Sequence, residues 1–418
     1  MKKLLLSCLM SIIMAASVFA ASMDFFSHRI VEIKLDVPVG ASNNVLGVGD
    51  IFTKNLFIDL GQFADSLPNN GLNVSFRATP SVGFTIDIPN GLILGARAGV
   101  DLIGTIGTSK DFYNFFGHGY SIGDKVKLDM LCNIDAFAYT QTDFGWHLDE
   151  LTFIVQPTVF ASVAHVVSDK SYVSLQNTED GKFIADVKGR VELYSDLSED
   201  EIQNKEYNQA ANYLFPGAGF DLSGTVKYDL FDFLSVTGFA RIPLVPSRLN
   251  SVTVFEFEKS FELDIDTLLN NPNEGGEDNT GNSGNNSSDE ETGKTYDVDY
   301  FINRPMKFTV GVDFHPFGNL MSYYGSFGLG FKHPFAENKM ERGVYVDYLA
   351  GLKLSLAGII SMYLTTERTD EIYRHKAMAA LSLRLIEIDV GAALESASFA
   401  NSFKGTGAGI FVTGCIGF

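Results

Sequence analysis

After its first twenty residues the chain has no run of eighteen uncharged apolar residues. The nearest candidate, Tyr348 to Leu364, is interrupted by Lys353, which argues against helical membrane spans. Cysteine is scarce, at three in 418 residues. Cys8 lies in the leader, and Cys132 and Cys415 stand too far apart to found a disulfide scaffold, so both read as small hydrophobes on strands. Positive charge is short as well. Against 51 acidic residues there are 31 Lys and Arg, for a net charge of −20, and loss of the leader's two lysines makes it more negative still. That balance speaks against a nucleic-acid partner. The seven histidines are scattered without metal-ligand spacing. No nucleophile elbow or phosphate-cradling glycine motif occurs, and Gly117, Gly119 and Gly123 beside His118 read as loop glycines. The expectation is therefore a protein without a catalytic site, cofactor or metal.

What the sequence does contain begins with an export signal: Lys2 and Lys3, an apolar stretch from Leu4 to Val18, and a cleavage site at Val18-Phe19-Ala20. Residues 1–20 are read as a signal peptide and 21–418 as the mature domain. Hydrophobic residues make up 45% of the chain and mean hydropathy is +0.08, high for an exported protein with no long apolar run. A transmembrane antiparallel β-barrel reconciles these facts, because its apolar residues alternate with polar ones.

The alternation is explicit. From Leu72 to Ile88 every even position is apolar, and the odd ones are Asn73, Ser75, Arg77, Thr79, Ser81, Gly83, Thr85 and Asp87. That run exceeds the usual strand of about 5–6 residues. The pattern resumes after Pro89-Asn90-Gly91, with Arg97 and Asp101 on the polar side, and recurs over Val126–Ala138, Leu151–Val163, Ala218–Tyr228, Phe308–Phe314 and Val344–Leu356. At the C-terminus Ile410, Val412, Gly414, Ile416 and Phe418 share one face and end on an aromatic. This matches the terminal-strand signal that barrel-assembly machinery reads. With short links assigned to the periplasmic side, parity gives about 14 strands, within roughly 12 to 16.

Three segments fall outside this pattern. Residues 45–67 repeat apolar side chains at helical spacing and read as an amphipathic plug or lid over the barrel mouth, with Phe52, Leu56, Phe57, Leu60 and Phe63 as candidate ligand contacts. Residues 166–216 read as one long extracellular loop, with Ser198 to Glu201 as a helix-capping pattern. Residues 257–295 read as an acidic, disordered extracellular loop. The polar lumen face is expected to include Arg77, Arg97, Lys127, Asp129, Arg241, Asp313, Lys353 and Arg384, of mixed sign and mutually paired.

The signal peptide, Asn43-Asn44 leading to Phe57-Ile-Asp-Leu60, Pro216-Gly-Ala-Gly219, Ile242-Pro-Leu-Val-Pro246 and the terminal Phe418 together resemble spirochaete (treponemal) outer-membrane proteins similar to the FadL-type long-chain fatty-acid transporters. The family's Asn-Pro-Ala hatch motif is absent. The resemblance implies a 14-stranded barrel in the cell outer membrane, an N-terminal hatch, and passage of a hydrophobic small molecule such as a long-chain fatty acid through an opening in the wall. Its expected partners are outer-membrane lipid, the assembly machinery and the hydrophobic solute. A general diffusion porin, or a surface adhesin or antigen carried on a barrel, are the competing expectations.

Overall fold

The computed structural model describes residues 29–45, 47, 59–69, 71–89, 91–119, 125–178, 182–195, 217–264, 293–332, 334, 343–356, 358–369, 371–383 and 385–418. The signal peptide lies outside them. Among the described residues eighteen strands form one antiparallel sheet: β1 (Val31–Asn43), β2 (Leu72–Ala78), β3 (Ser81–Asp87), β4 (Leu92–Thr108), β5 (Lys125–Leu148), β6 (Leu151–Asn177), β7 (Lys182–Ser195), β8 (Gly219–Phe231), β9 (Leu234–Val245), β10 (Ser247–Asp264), β11 (Lys294–Ile302), β12 (Met306–Phe314), β13 (Met321–Lys332), β14 (Gly343–Leu356), β15 (Ile360–Thr369), β16 (Ile372–Ser382), β17 (Ile386–Ser396) and β18 (Gly407–Gly417). The sheet closes where β1 pairs with β18 from Glu32↔Gly417 to Ser42↔Gly407. The seam is tied at its end by Phe418, whose carbonyl accepts from the amides of Ile30 at 2.7 Å and Val31 at 3.0 Å.

The segment count exceeds the expected 14 for two reasons. Prolines interrupt ladders, because they supply no amide hydrogen. Pro80 splits β2 from β3, which share β1 and β4 as neighbours. Pro246 separates β9 from β10, and Asn303-Arg304-Pro305 separates β11 from β12. The second reason is an outer tier. The closed circuit runs β1, β2 with β3, β4, β5, β6, β8, β9, then β12 through β18. Strands β7, β10 and β11 stand beyond it, with β7 on the far half of β6 and β10 between β7 and β11. The expected 166–216 loop is thus in part a β6–β7 hairpin. The expected 257–295 loop begins as β10 and ends as β11, and the stretches 196–216 and 265–292 lie outside the described residues.

The two rims differ. At one, the links β3–β4, β5–β6, β8–β9, β12–β13, β14–β15 and β16–β17 are all short turns. Asp149 manages the β5–β6 turn at φ 49°. The opposite rim bears the long connections and the outer tier. Strand parity places apolar residues outside: Val82 is 49% exposed, Ile410 63%, Val412 40%, Ile416 62% and Phe418 71%. Aromatic rings ring the short-turn rim: Phe231 with Phe233 at 5.3 Å, Phe233 with Phe314 at 6.0 Å, and Trp146 with Phe153 at 5.3 Å.

The helix expected over 45–67 is described only as α1 (Leu60–Ser66), capped by Asp59, whose carboxylate accepts from the amides of Gly61 and Gln62. It packs on α2 (Lys110–His118), not into the barrel. Gly117 is therefore a helix residue rather than a loop glycine. A β-carbon there would lie 2.5 Å from the Leu60 carbonyl oxygen, so the close approach of the helices requires glycine. Phe63 meets Tyr113 edge-on at 5.2 Å, and the Asp65 carboxylate contacts the His118 ring at 3.0 Å. α2 in turn lays Phe112 and Phe115 against Leu175 in the far half of β6, where β7 joins it.

Candidate functional site

The lumen is divided between a filled side and an open one. On the β5–β6 side, Phe137, Phe160, Leu249 and Ile302 form a buried cluster with Tyr139, Tyr194 and Tyr300 packed against it. His165, 1% exposed, joins this cluster: its Nδ1 lies 2.6 Å from Asp135, and Tyr300 stacks on it at 5.1 Å. Closure on this side comes from β5 and β6 of the wall together with the outer-tier strands β10 and β11.

The open side is a cavity of about 490 Å³. Inward parity brings to it Arg77 of β2, Thr79 of the break that follows, Ser81 of β3, Arg97 and Asp101 of β4, Tyr139 of β5, Arg241 of β9 and Lys307 of β12. From the other side come Glu367, Arg374, Lys376 and Met378 of β15 and β16, Glu395 of β17, and Phe411 and Thr413 of β18. Seven cationic side chains line it against four carboxylates. Two ion-pair systems set its shape. Arg304, 3% exposed, donates from Nη1 to Asp221 at 3.0 Å and from Nη2 to Asp101 at 2.9 Å, with its guanidinium 4.6 Å from the Tyr139 ring centroid. Because β4 and β12 are separated on the circuit by β5, β6, β8 and β9, this contact is a chord across the interior. The second system joins Arg374 to Glu395 at 2.8 Å and to Glu367 at 3.4 Å, with Lys376 on Glu367 at 2.9 Å. Glu395 reaches over β18 into a niche framed by Gly40 and Gly409. A β-carbon at either glycine would fall 2.4 Å or 2.5 Å from its Oε1.

The cavity abuts an interrupted stretch of wall. Pro38 of β1 lies opposite Phe411 of β18 and beside the Thr79-Pro80 break. Thr79 N donates to the Pro38 carbonyl at 3.1 Å and Val100 N to the Pro80 carbonyl at 3.0 Å. Neither proline can return a hydrogen bond. Asp36 to Gly40, Thr79 and Val412 all border the cavity at this seam.

Of the residues expected in the lumen, Arg77, Arg97 and Arg241 meet at this cavity. Asp313 and Lys353 are inward by parity but lie elsewhere, Lys353 with its ammonium 5.3 Å from the Tyr363 ring. Asp129 is exposed near the long-loop rim and does not border the cavity, since β5 runs there past the end of β4. The Lys127 side chain and Arg384 lie outside the described residues. So do Phe52, Leu56 and Phe57, while Leu60 is 44% exposed; neither Leu60 nor Phe63 borders the cavity. Sequence reading missed Arg304, Glu367, Arg374, Lys376 and Glu395. The last four follow from extending the alternation through β15 to β17. Arg304 had no such signal, because it sits in a Pro-containing break.

Among the described residues no group of acidic, His and Cys side chains is arranged to hold a metal ion. The His375 ring lies 2.8 Å from Ser402 Oγ, but Ser402 is fully buried and its hydroxyl donates to the Phe399 carbonyl at 2.6 Å. That contact clamps a loop and presents no nucleophile.

No protein-family profile matches the chain, and no curated protein matches its sequence. Among solved structures it is similar to the toluene transporter TodX of P. putida, at 9% identity and TM-score 0.49 over 96% of this chain and 92% of that one. It is also similar to the Ralstonia pickettii toluene transporter TbuX, at 9% identity and 0.44 over 97% and 93%. For the translocator domain of the autotransporter NalP from Neisseria meningitidis the values are 8% and 0.34, over 99% and 98%.

Proposed function

We propose that this chain is an outer-membrane barrel that passes a hydrophobic small molecule with an anionic head, such as a long-chain fatty acid, from the lumen cavity into the bilayer through the β18–β1–β2 seam. The membrane setting is supported by the apolar outer wall, which is far too extensive to face water, and by the aromatic rim. The observation that carries the transport reading is the placement of the cavity: a pocket of ligand size, rich in cations, ends on the stretch of wall where prolines thin the hydrogen-bond ladder. Arg97 and its neighbours suit a carboxylate, and the seam, flanked outside by Val39 and Val82, suits an alkyl chain. The reading involves no chemical step. The Arg304 chord and the aromatic filling favour it over a wide diffusion porin. The helical lid over residues 45–67 belongs to the same proposal, with α1 and α2 at the long-loop rim as its fixed end.

The test is flux of a radiolabelled long-chain fatty acid into vesicles containing the refolded barrel, beside single-channel conductance. Saturable flux that falls several-fold in Arg97→Gln, with low conductance, supports the proposal. Large steady conductance with no fatty-acid flux would overturn it in favour of a porin.

A further inference from the structure

The outward face of β14 to β17 carries a second recess, of about 650 Å³, that the proposed transport does not use. It arises from a contrast of side-chain size across paired strands. Ala377 of β16 stands beside Leu364 of β15, which is 50% exposed, with Ala350 and Leu352 of β14 beyond it. On the other flank Ala377 faces Ala392 of β17, with Leu394 two residues along. The result is a trough running down the wall along β16, open to whatever surrounds the barrel.

Past Thr366 and His375, which close this end of the recess, the same outward face carries a cation. Arg368 is outward by parity on β15, paired in register with Tyr348 and Tyr373. Its guanidinium lies 5.3 Å from the Tyr373 ring centroid and donates from Nη1 to the Val346 carbonyl at 2.8 Å. Its Nε is buried with no hydrogen-bond partner, and among the described residues no carboxylate pairs with it. Aromatic rings continue from it: Tyr373 meets Phe399 at 5.6 Å, and Phe399, at 51% exposure, meets Phe403, at 63%.

Depth decides what this arrangement faces. From Ile360, at the short-turn rim, to Arg368 is eight residues of strand. At about 3.3 Å per residue and a tilt of about 40°, that is a height of roughly 20 Å. An outer-membrane barrel's apolar band is about 25 Å tall, so Arg368 stands near its far edge, at headgroup level, with the trough below it at acyl-chain level. A guanidinium is best matched by a phosphate, and an aromatic setting at that level suits a headgroup boundary.

We infer that this face binds one anionic phospholipid of the surrounding bilayer, its phosphate on Arg368 and an acyl chain in the trough at Ala377 and Ala392. The test is native mass spectrometry of the folded full chain in detergent with equal concentrations of dioleoyl phosphatidylglycerol and dioleoyl phosphatidylcholine. Wild type should retain phosphatidylglycerol in about ten-fold excess, because phosphatidylcholine carries the same phosphate already neutralised by its own choline cation, a difference on the scale of one charge-assisted contact. Arg368→Gln should lower it to the phosphatidylcholine level, and Ala377→Phe, which fills the trough, should reduce retention of both. Heat-dependent gel mobility reports folding of each variant. Equal retention of the two lipids by wild type, or unchanged preference in folded Arg368→Gln, would overturn the site. Fatty-acid flux should be unchanged in Arg368→Gln, so the two proposals fail separately.

Discussion

Replacing Arg304 by Met is the sharpest probe of the interior. Arg304 is 3% exposed and Asp221 is fully buried, with its Oδ1 lacking a hydrogen-bond partner. The substitution removes the Asp221 contact at 3.0 Å, the Asp101 contact at 2.9 Å and the stacking on Tyr139. Breaking a buried pair from one side strands a charge and costs about 3–5 kcal/mol. Removing both partners is far milder, because apolar groups of similar volume replace a buried ion pair at little net cost. The prediction is that Arg304→Met lowers unfolding free energy by about 3 kcal/mol or more, and that adding Asp221→Leu restores most of it. Urea titration of the barrel in phospholipid vesicles, followed by Trp146 fluorescence, measures both. The same chord crosses the lumen, so Arg304→Met should also raise single-channel conductance. A single-variant loss below about 1 kcal/mol, or a double variant as unstable as the sum of the two singles, would refute the idea that a sealed ion pair holds the interior together.

Further predictions follow from other parts of the site. Gly409→Leu should displace Glu395 from its niche and cost about 1–3 kcal/mol as an overpacked interior, and Glu395→Ala in the same chain should recover part of that in the urea assay. Pro80→Val, which can restore a ladder donor at the seam, should leave stability equal or higher and slow fatty-acid flux; faster or unchanged flux counts against exit at that point. Gly117→Leu should part α1 from α2, and limited proteolysis should then cut near Leu60 sooner than in wild type.

Much of the barrel was legible from parity. Leu72 to Ile88 shows its odd residues inside and its even residues outside, as the alternation requires, because a strand has only two faces and a membrane barrel makes them chemically opposite. The rule failed where the backbone left that regime. Pro80 and Pro246 cut strands into segments, and the outer tier stands beyond the closed circuit and turns aromatic residues such as Tyr194 and Tyr300 onto the buried cluster, so the apolar–polar contrast that marks a membrane strand fades in β7 and β11. The site was half legible for the same reason. Arg77, Arg97 and Arg241 lie on clean alternating strands, so parity alone turns them toward the cavity they border. Arg304 comes from a non-strand elbow and is set by tertiary contact alone. Asp129 obeyed the alternation but lies on a part of β5 that runs past the end of β4. The amphipathic stripe at Leu60 and Phe63 signalled a helix correctly; its partner, α2, could not be deduced from spacing.

The two-faced strands also constrain how a chain like this one can change over evolutionary time. Gain of one codon within β4 would send Arg97 and Asp101 into the lipid and Val100 into the lumen, and every residue beyond would follow until the next turn. Gain of two would leave each side chain on its own face. Strand length in the closed circuit should therefore drift in pairs of residues, with single-codon changes confined to the long connections, where no ladder counts them, or taken up as bulges such as those between β5 and β6.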